Sequence, residues 1–252
     1  MAEAATARLW AGGEGAAPHG TPQWAIEERR RVRGTLLGAH PAPYPCHFGS
    51  IGENKGTNHY TYWDLRQNSA SEAKAVARGL RAFVGMQRAL TAERLSLLIM
   101  AGPPQADRDF AWYRDLFWNM LSALHEHDRD PWPAGVPDDL EDPKWEFAFA
   151  GEPLFTFGTC PAYGPRRSRT LGECLVIGVQ CRSVFTSISG STAAGRAAKS
   201  RIRRSLAEYE DVPLLADAGD GQGSTAEKWK QYFPEVDGQP LSGKCPAHWE
   251  KR

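Results

Sequence analysis

The feature that most constrains this fold is the apolar run Leu95–Ala101, which lies between two segments of helical periodicity. A run of this length is typical of a buried β-strand and is too short to span a bilayer. Before it, Ser69–Leu90 carries apolar residues at helical spacing, and Ser69 or Ser71 can cap its amino end. After it, Asp107–His125 carries a second apolar stripe. The chain therefore contains a strand that two amphipathic helices can cover.

Further segments show the periods of strands and helices. Trp145–Ala150 and Leu154–Gly158 are separated by a Gly- and Pro-containing turn and predict a hairpin. Glu173–Gln180 predicts another strand, and Arg196–Tyr209 predicts a helix. The charge run in Glu27–Leu37 is compatible with one or two helical turns that have a solvated face, and a partner-binding patch is the alternative. Because helices and antiparallel strands are mixed in order, we expect an α+β fold, with a mixed or largely antiparallel sheet packed against several helices.

The chain is long enough for one hydrophobic core, with 252 residues of which 41% are hydrophobic. Residues 1–25 are rich in Ala, Gly and Pro and predict a flexible amino-terminal tail. We expect a single domain over residues 26–240 and a carboxy-terminal tail over residues 241–252.

Charge and cysteine content exclude several classes of protein. Thirty basic residues balance thirty acidic residues, so no nucleic-acid partner is expected, and no segment predicts a membrane span. The five cysteines do not form the paired framework of a small secreted domain. The first residues also lack the apolar core of a secretory signal. We therefore expect a cytoplasmic protein.

No standard catalytic motif is present, but a thiol and an imidazole, Cys46 and His47, follow a stiff proline-rich segment. A thiolate or an imidazole can be an axial ligand of iron or haem. The alternative interpretation is that Cys46 is a small buried hydrophobe and that His47 is a turn residue.

The end of the second long helix holds His125, His127 and Asp128. This order matches part of the ligand set of a metal-dependent hydrolase, but the further histidines that such a site needs are lacking. His127 can instead interact with the helix dipole. His125 is better placed for a buried role, because it shares a flank of the helix with Trp118 and Leu121.

A third group, Arg166, Arg167 and Arg169, lies on a loop before a strand. Guanidinium groups pair with carboxylates through two donors, so these residues could hold haem propionates or an amino-acid carboxylate. Solvated surface charge is the alternative.

These segments together resemble the YqcI/YcgG family over roughly residues 40 to 235. The resemblance is carried by the ordered motifs Tyr44-Pro45-Cys46-His47-Phe48, Phe117-Trp118, Leu124-His125, Asp128–Pro133, Asp142–Phe147, Gly151-Glu152-Pro153, Pro161-Ala162-Tyr163, Arg166–Arg169, Gln180–Phe185, Arg201-Ile202-Arg203 and Trp229–Phe233. Each motif is short, but their joint order is specific.

The resemblance implies a haem-dependent N-oxygenase that hydroxylates the guanidine or amine nitrogen of a basic amino acid in specialised metabolism. It implies haem b as cofactor, dioxygen or peroxide as oxidant, and an electron donor. A homodimer is compatible with it. The alternatives are a non-catalytic haem sensor and, with less support, the metal-dependent hydrolase that uses His125, His127 and Asp128.

The resemblance to this family suggests a role in haem or substrate binding for each candidate site residue. We expect the iron ligand to be His125 or Cys46, with a preference for His125 because a helix holds a ligand rigidly. The other candidates are Arg166, Arg167 and Arg169 for the propionates, Trp118, Trp132 and Phe48 for the pocket wall, and Glu146 or Glu152 for the cationic substrate.

Overall fold

The structure, a computed structural model, describes residues 8–13, 15–39, 42–106, 108–188, 192–213, 227–239 and 241–249. The helices are α1 (Gln23–Leu37), α2 (His47–Lys55), α3 (Ser69–Ala89), α4 (Phe110–Glu126) and α5 (Ala193–Tyr209). The strands are β1 (Trp10–Ala11), β2 (Asn58–Asp64), β3 (Ser96–Gly102), β4 (Ala148–Phe149), β5 (Glu152–Thr159) and β6 (Leu175–Cys181). Short 3₁₀ segments include Pro161–Tyr163, Arg167–Arg169, Arg182–Ile188 and Lys228–Gln231.

The strands form one mixed sheet in the order β1-β2-β3-β6-β5-β4. Strands β2 and β3 are parallel, since α3 connects them, and every other neighbouring pair is antiparallel. The prediction of an α+β fold with a mixed sheet is confirmed.

Helices cover both faces of the sheet, so the side chains on both sides of β3 are buried. This explains why the sequence of β3 is a continuous apolar run. Leu97 and Ile99 belong to the core that α3 and α4 cover, and Leu98 and Met100 belong to a second core beneath α1. We call these the α4 face and the α1 face of the sheet.

Most of the predicted elements begin and end close to the expected residues. Helix α4 begins at Phe110 because the Asp109 side chain accepts the Trp112 backbone N–H at 2.8 Å, and the predicted start, Asp107, lies outside the described residues. Helix α3 is capped by Asn68, which accepts the Ser71 N–H at 3.1 Å, rather than by Ser69 or Ser71.

The predicted hairpin is present with a two-residue turn, Ala150-Gly151. Both turn residues have positive φ, 55° and 69°, as the twist of a two-residue hairpin turn requires. Only Ala148–Phe149 of the predicted first strand pairs with β5. Trp145 and Phe147 precede the pairing and are fully buried.

Parts of the two predicted tails pack onto the domain. Trp10 is buried in β1, and the Gly13 N–H donates to the buried Glu53 carboxylate at 3.1 Å. Trp24 is also buried, in α1, because its indole packs on the α1 face of the sheet. At the other end, Leu241 and Ala247 are buried against the α4 face. Residues 1–7, 14 and 250–252 lie outside the described part of the chain.

A buried carboxylate, Glu28 of α1, joins the helix to the loop before β6. It accepts the Cys174 N–H at 2.7 Å, and an Arg31 guanidinium nitrogen lies 3.6 Å away. Burial raises the pKa of the Glu28 carboxyl above its ordinary value. The folded state therefore binds this proton more tightly than the unfolded state does.

We predict that Glu28→Gln makes stability less dependent on pH. The stability that Glu28 contributes is full below the carboxyl pKa of the unfolded chain and is lost as pH rises through the raised folded-state pKa. Relative to wild type, Glu28→Gln should therefore gain stability as the pH rises from 4 to 8 in denaturant titrations. Glu27→Gln, on the same helix, is the control. A gain that is equal at every pH would contradict the prediction.

Candidate functional site

His125 lies in the last turn of α4 and is buried, with 7% of its surface exposed. Its ring stacks on the indole of Trp249, with centroids 4.3 Å apart and planes at 24°. The Trp132 indole meets the same imidazole edge-on, at 5.6 Å. Residues from a helix, a loop and the carboxy-terminal segment therefore meet at this imidazole.

Two adjoining cavities open beside these rings and together form what we call the His125 cleft. The inner cavity, of about 250 Å³, is lined by His125, Asp128, Asp130, Pro131, Trp132, Asp138 and Trp249. The outer cavity, of about 290 Å³, is lined by Asp138, Asp139, Leu140, Glu141, Lys244, Cys245 and Trp249. Asp138 and Trp249 belong to both cavities.

The loop that carries Trp132 is fixed by the buried Asp128. Its carboxylate accepts the Ala150 N–H of the hairpin turn at 2.9 Å and a guanidinium N–H of Arg81 at 2.9 Å. Arg81 also pairs with Asp130, which lines the inner cavity. Asp128 therefore joins α3, the end of α4 and the hairpin.

The acidic and aromatic lining suits a cationic ligand. Carboxylates form charge-assisted hydrogen bonds with guanidinium or ammonium groups, and indole faces attract cations. Asp130 is already paired with Arg81. Asp138 is exposed and forms no ion pair with the described residues, while Lys244 of the outer cavity pairs with Glu141.

Among the predicted pocket residues, Trp132 alone contacts His125. Trp118 is almost fully buried in the core of the α4 face, where it stacks on Tyr232 with ring centroids 6.1 Å apart. Phe48 lies on α2, beneath the guanidinium of Arg94. Neither lines the His125 cleft.

Cys46 lies on the α1 face of the sheet, on the other side from His125. Its sulfur accepts the Gly49 N–H at 3.4 Å and so caps α2. Burial raises the pKa of the Cys46 thiol, which disfavours the thiolate form. His47 begins α2, and its ring lies 3.3 Å from the Ser205 hydroxyl.

The three arginines donate to backbone carbonyls instead of facing the cleft. Arg166 donates to Val236 and Pro213, Arg167 donates to Tyr209, and Arg169 donates to Gly158 and Gln231. Arg166 is 2% exposed, so its charge is buried among these acceptors. The three guanidinium groups therefore join the loop before β6 to β5 and to the described segments around Tyr209, Pro213, Gln231 and Val236.

The two predicted substrate carboxylates have cationic neighbours. Glu146 is buried and accepts from Arg182 Nε and Lys228 Nζ, both at 2.7 Å. Glu152 lies 3.9 Å from Arg88. The Glu146 carboxylate is therefore neutralised by two cations of the chain itself.

The described residues contain no group of three His, Cys, Asp or Glu side chains arranged to hold a metal ion. His127 is the C-cap residue of α4, and its backbone N–H donates to Leu124. Asp128 is occupied by its contacts with Arg81 and Ala150. The hydrolase alternative therefore gains no support from this part of the chain.

Sequence reasoning missed Trp249, Asp130 and Asp138. Trp249 reaches His125 only through tertiary folding, and no local motif signals that contact. The two aspartates lie on loops flanking Trp132, where charged residues are ordinarily solvated.

Together, the mixed sheet, the helices on both faces and the aromatic, acidic cleft define an α+β protein with a buried imidazole, that of His125, beside a cleft on its α4 face. The chain belongs to the YqcI/YcgG family, whose sequence profile matches residues 33–248. The predicted family membership is thus confirmed.

Three relatives are similar over most of the chain. The uncharacterised protein YcgG of Bacillus subtilis is 35% identical over 191 residues, which are 75% of this chain and 74% of that protein. YqcI of the same organism, also uncharacterised, is 32% identical over 159 residues, 62% of each chain. A Streptomyces lavendulae protein with the provisional name N(omega)-hydroxy-L-arginine synthase DcsA is 29% identical over 208 residues, 81% of this chain and 77% of that protein.

No solved structure matches the chain. Among the described residues, none of the helices has the length and apolar character needed to cross a membrane.

We predict that Asp128 is a structural residue whose loss destabilises the fold. Asp128→Ala should cost about 2 kcal/mol in denaturant unfolding, because it leaves the buried Ala150 N–H without its acceptor and removes one of the two carboxylates that pair with Arg81. Asp128→Asn keeps the acceptor and should lose less. Asp115→Ala, at an exposed site, is the control and should be nearly neutral. Equal stability of Asp128→Ala and wild type would contradict this role.

Proposed function

We propose that the protein is a haem-b-dependent N-oxygenase that hydroxylates the terminal nitrogen of an arginine-like or lysine-like amino acid at the His125 cleft. The observation that carries the proposal is a buried imidazole in an aromatic cleft that also holds carboxylates, in a chain of this family. The provisional name of the relative DcsA supports N-hydroxylation of arginine.

The donor chemistry of the cleft fits part of a haem site. His125 would bind the iron, and Trp132 and Trp249 would supply apolar walls. We favour His125 over Cys46 because Cys46 caps a helix, on the other side of the sheet, with a thiol that burial keeps protonated. The propionate contacts stay a prediction, since Arg166, Arg167 and Arg169 are occupied by backbone carbonyls.

Haem, when bound, supplies the activation of dioxygen or peroxide that no side chain can provide. With dioxygen, one oxygen atom enters the substrate N–H bond, and the other leaves as water with two electrons and two protons. An electron donor must deliver those electrons, whereas peroxide would need none.

The chain's own residues would bind and orient the substrate. Asp138 would pair with the guanidinium or ammonium group, and Trp132 would exclude water and offer a ring face to the cation. We choose Asp138 over the predicted Glu146, because Arg182 and Lys228 already neutralise Glu146. Glu152 is partly exposed, near Arg88, and does not line the His125 cleft.

We predict that His125→Ala abolishes the Soret band of haemin-reconstituted protein, whereas Cys46→Ala retains it. The reason is that His125 is the proposed ligand and Cys46 lies across the sheet from it. Absorbance spectra of wild type and both variants, at matched circular dichroism, make the comparison. Loss of the band only in Cys46→Ala would assign the ligand to the thiol, and wild type that binds no haemin would contradict haem dependence.

We predict that Asp138→Asn weakens arginine binding about tenfold, since it removes a charge-assisted contact with the cation. Binding is followed as the Soret shift on arginine addition, with product detected as a gain of one oxygen by mass spectrometry. Asp139→Asn, in the outer cavity only, is the control. Citrulline, which lacks the positive charge, should bind both variants alike. Bound haem without any oxygenated product from arginine or lysine would favour the sensor alternative.

A further inference from the structure

Trp249 is the wall that the two cavities of the His125 cleft share. Its indole lies face-on against the His125 imidazole, and it also contacts the rings of Trp145 at 5.6 Å and Phe147 at 6.4 Å. The same indole therefore covers the imidazole and separates the inner cavity from the outer one.

The segment that carries Trp249, residues 241–249, has no regular secondary structure. The His248 N–H donates to the Ser122 hydroxyl at 3.2 Å. Lys244 pairs with Glu141, but both side chains are largely exposed, at 82% and 63%, so this pair contributes little. The buried side chains of Leu241 and Ala247 hold the earlier part of the segment on the α4 face, and the ring contacts of Trp249 hold its end.

The size of the inner cavity limits which ligands can reach His125 while Trp249 stays in place. About 250 Å³ suffices for an amino-acid side chain but is below the ~300–1,000 Å³ of pockets for drug-sized ligands. A planar ligand the size of a porphyrin can reach His125 only if the cleft widens. Displacement of Trp249 would do this, because the inner and outer cavities would then join.

We infer that residues 241–249 form a strap over His125 and that the Trp249 indole is its latch. When the latch is released, the imidazole becomes accessible and the two cavities become one cleft. The statement that this opening admits haem rests on the proposed function. The statement that it exposes His125 does not.

The test is the rate at which diethyl pyrocarbonate modifies His125, read by peptide mapping of the full chain without haem. Trp249→Ala should raise that rate roughly tenfold, since a stacked aromatic contact that protects the ring is lost. His127, two residues away and already partly exposed, is the internal reference and should change less than about twofold. Trp112→Ala removes a half-buried indole of α4 that does not line the cleft, and should leave His125 protected.

Trp249→Phe keeps a ring at the latch and should retain most of the protection. The latch role of Trp249 is rejected if Trp249→Ala leaves the rate of His125 modification unchanged. It is also rejected if His125 is modified as fast in Trp249→Phe as in Trp249→Ala. If Trp249→Ala does not fold, the strap is tested instead by amide hydrogen exchange of the wild-type protein. We expect amides of 241–249 to exchange well before those of α4, and equally slow exchange would overturn the strap.

Haemin binding by the same proteins separates this inference from the proposed function. Faster haemin uptake by Trp249→Ala than by wild type and Trp112→Ala supports both. If none of the proteins binds haemin, the proposed function fails, whereas the strap is still judged by His125 labelling alone.

Discussion

Burial of β3 on both faces is the constraint on which the rest of the structure depends. Its side chains alternate between the cores of the α4 face and the α1 face, so neither set of helices can be removed without exposing apolar strand residues to water. This arrangement places α4 rigidly against the sheet. His125 lies at the end of α4 and is therefore held in a fixed position. The contacts of Asp128 with Arg81 and Ala150 fix the loop that carries Trp132 in the same way.

The described segments from the end of α5 to Val236 are held by a different kind of interaction. Arg166, Arg167 and Arg169 donate to carbonyls of these segments, at Tyr209, Pro213, Gln231 and Val236. Charged donors satisfy buried carbonyls that no strand or helix partner reaches. The arginine-rich motif that suggested anion binding therefore has a structural role in the contacts that the structure describes.

The sequence predicted α3, β3 and β6 to within a few residues because their apolar pattern is strong and their caps and Gly-Pro boundaries are local. It did not predict β2, whose buried residues include Asn58, His59 and Thr61. These polar side chains are tolerated there through partners such as Glu53 for Asn58 and the Thr57 carbonyl for His59, and such partners are invisible in a hydropathy pattern. The burial of His125 could be anticipated from the helix flank that it shares with Trp118 and Leu121. Its contact with Trp249 could not, because 123 residues separate the two in the chain.

The two candidate ligands of the proposed haem iron, His125 and Cys46, lie on opposite faces of the sheet. A ligand on the α4 face is accompanied by Asp138, Trp132 and the strap, which together suit a cationic substrate in a closable cleft. A ligand on the α1 face is accompanied by a protonated thiol, a helix cap and the Tyr44 and Tyr209 rings. Thiolate formation there would cost desolvation, and iron binding would compete with the Gly49 N–H for the Cys46 sulfur. Since a neutral imidazole needs no ionisation to bind iron, the α4 face offers the less costly site for the proposed cofactor.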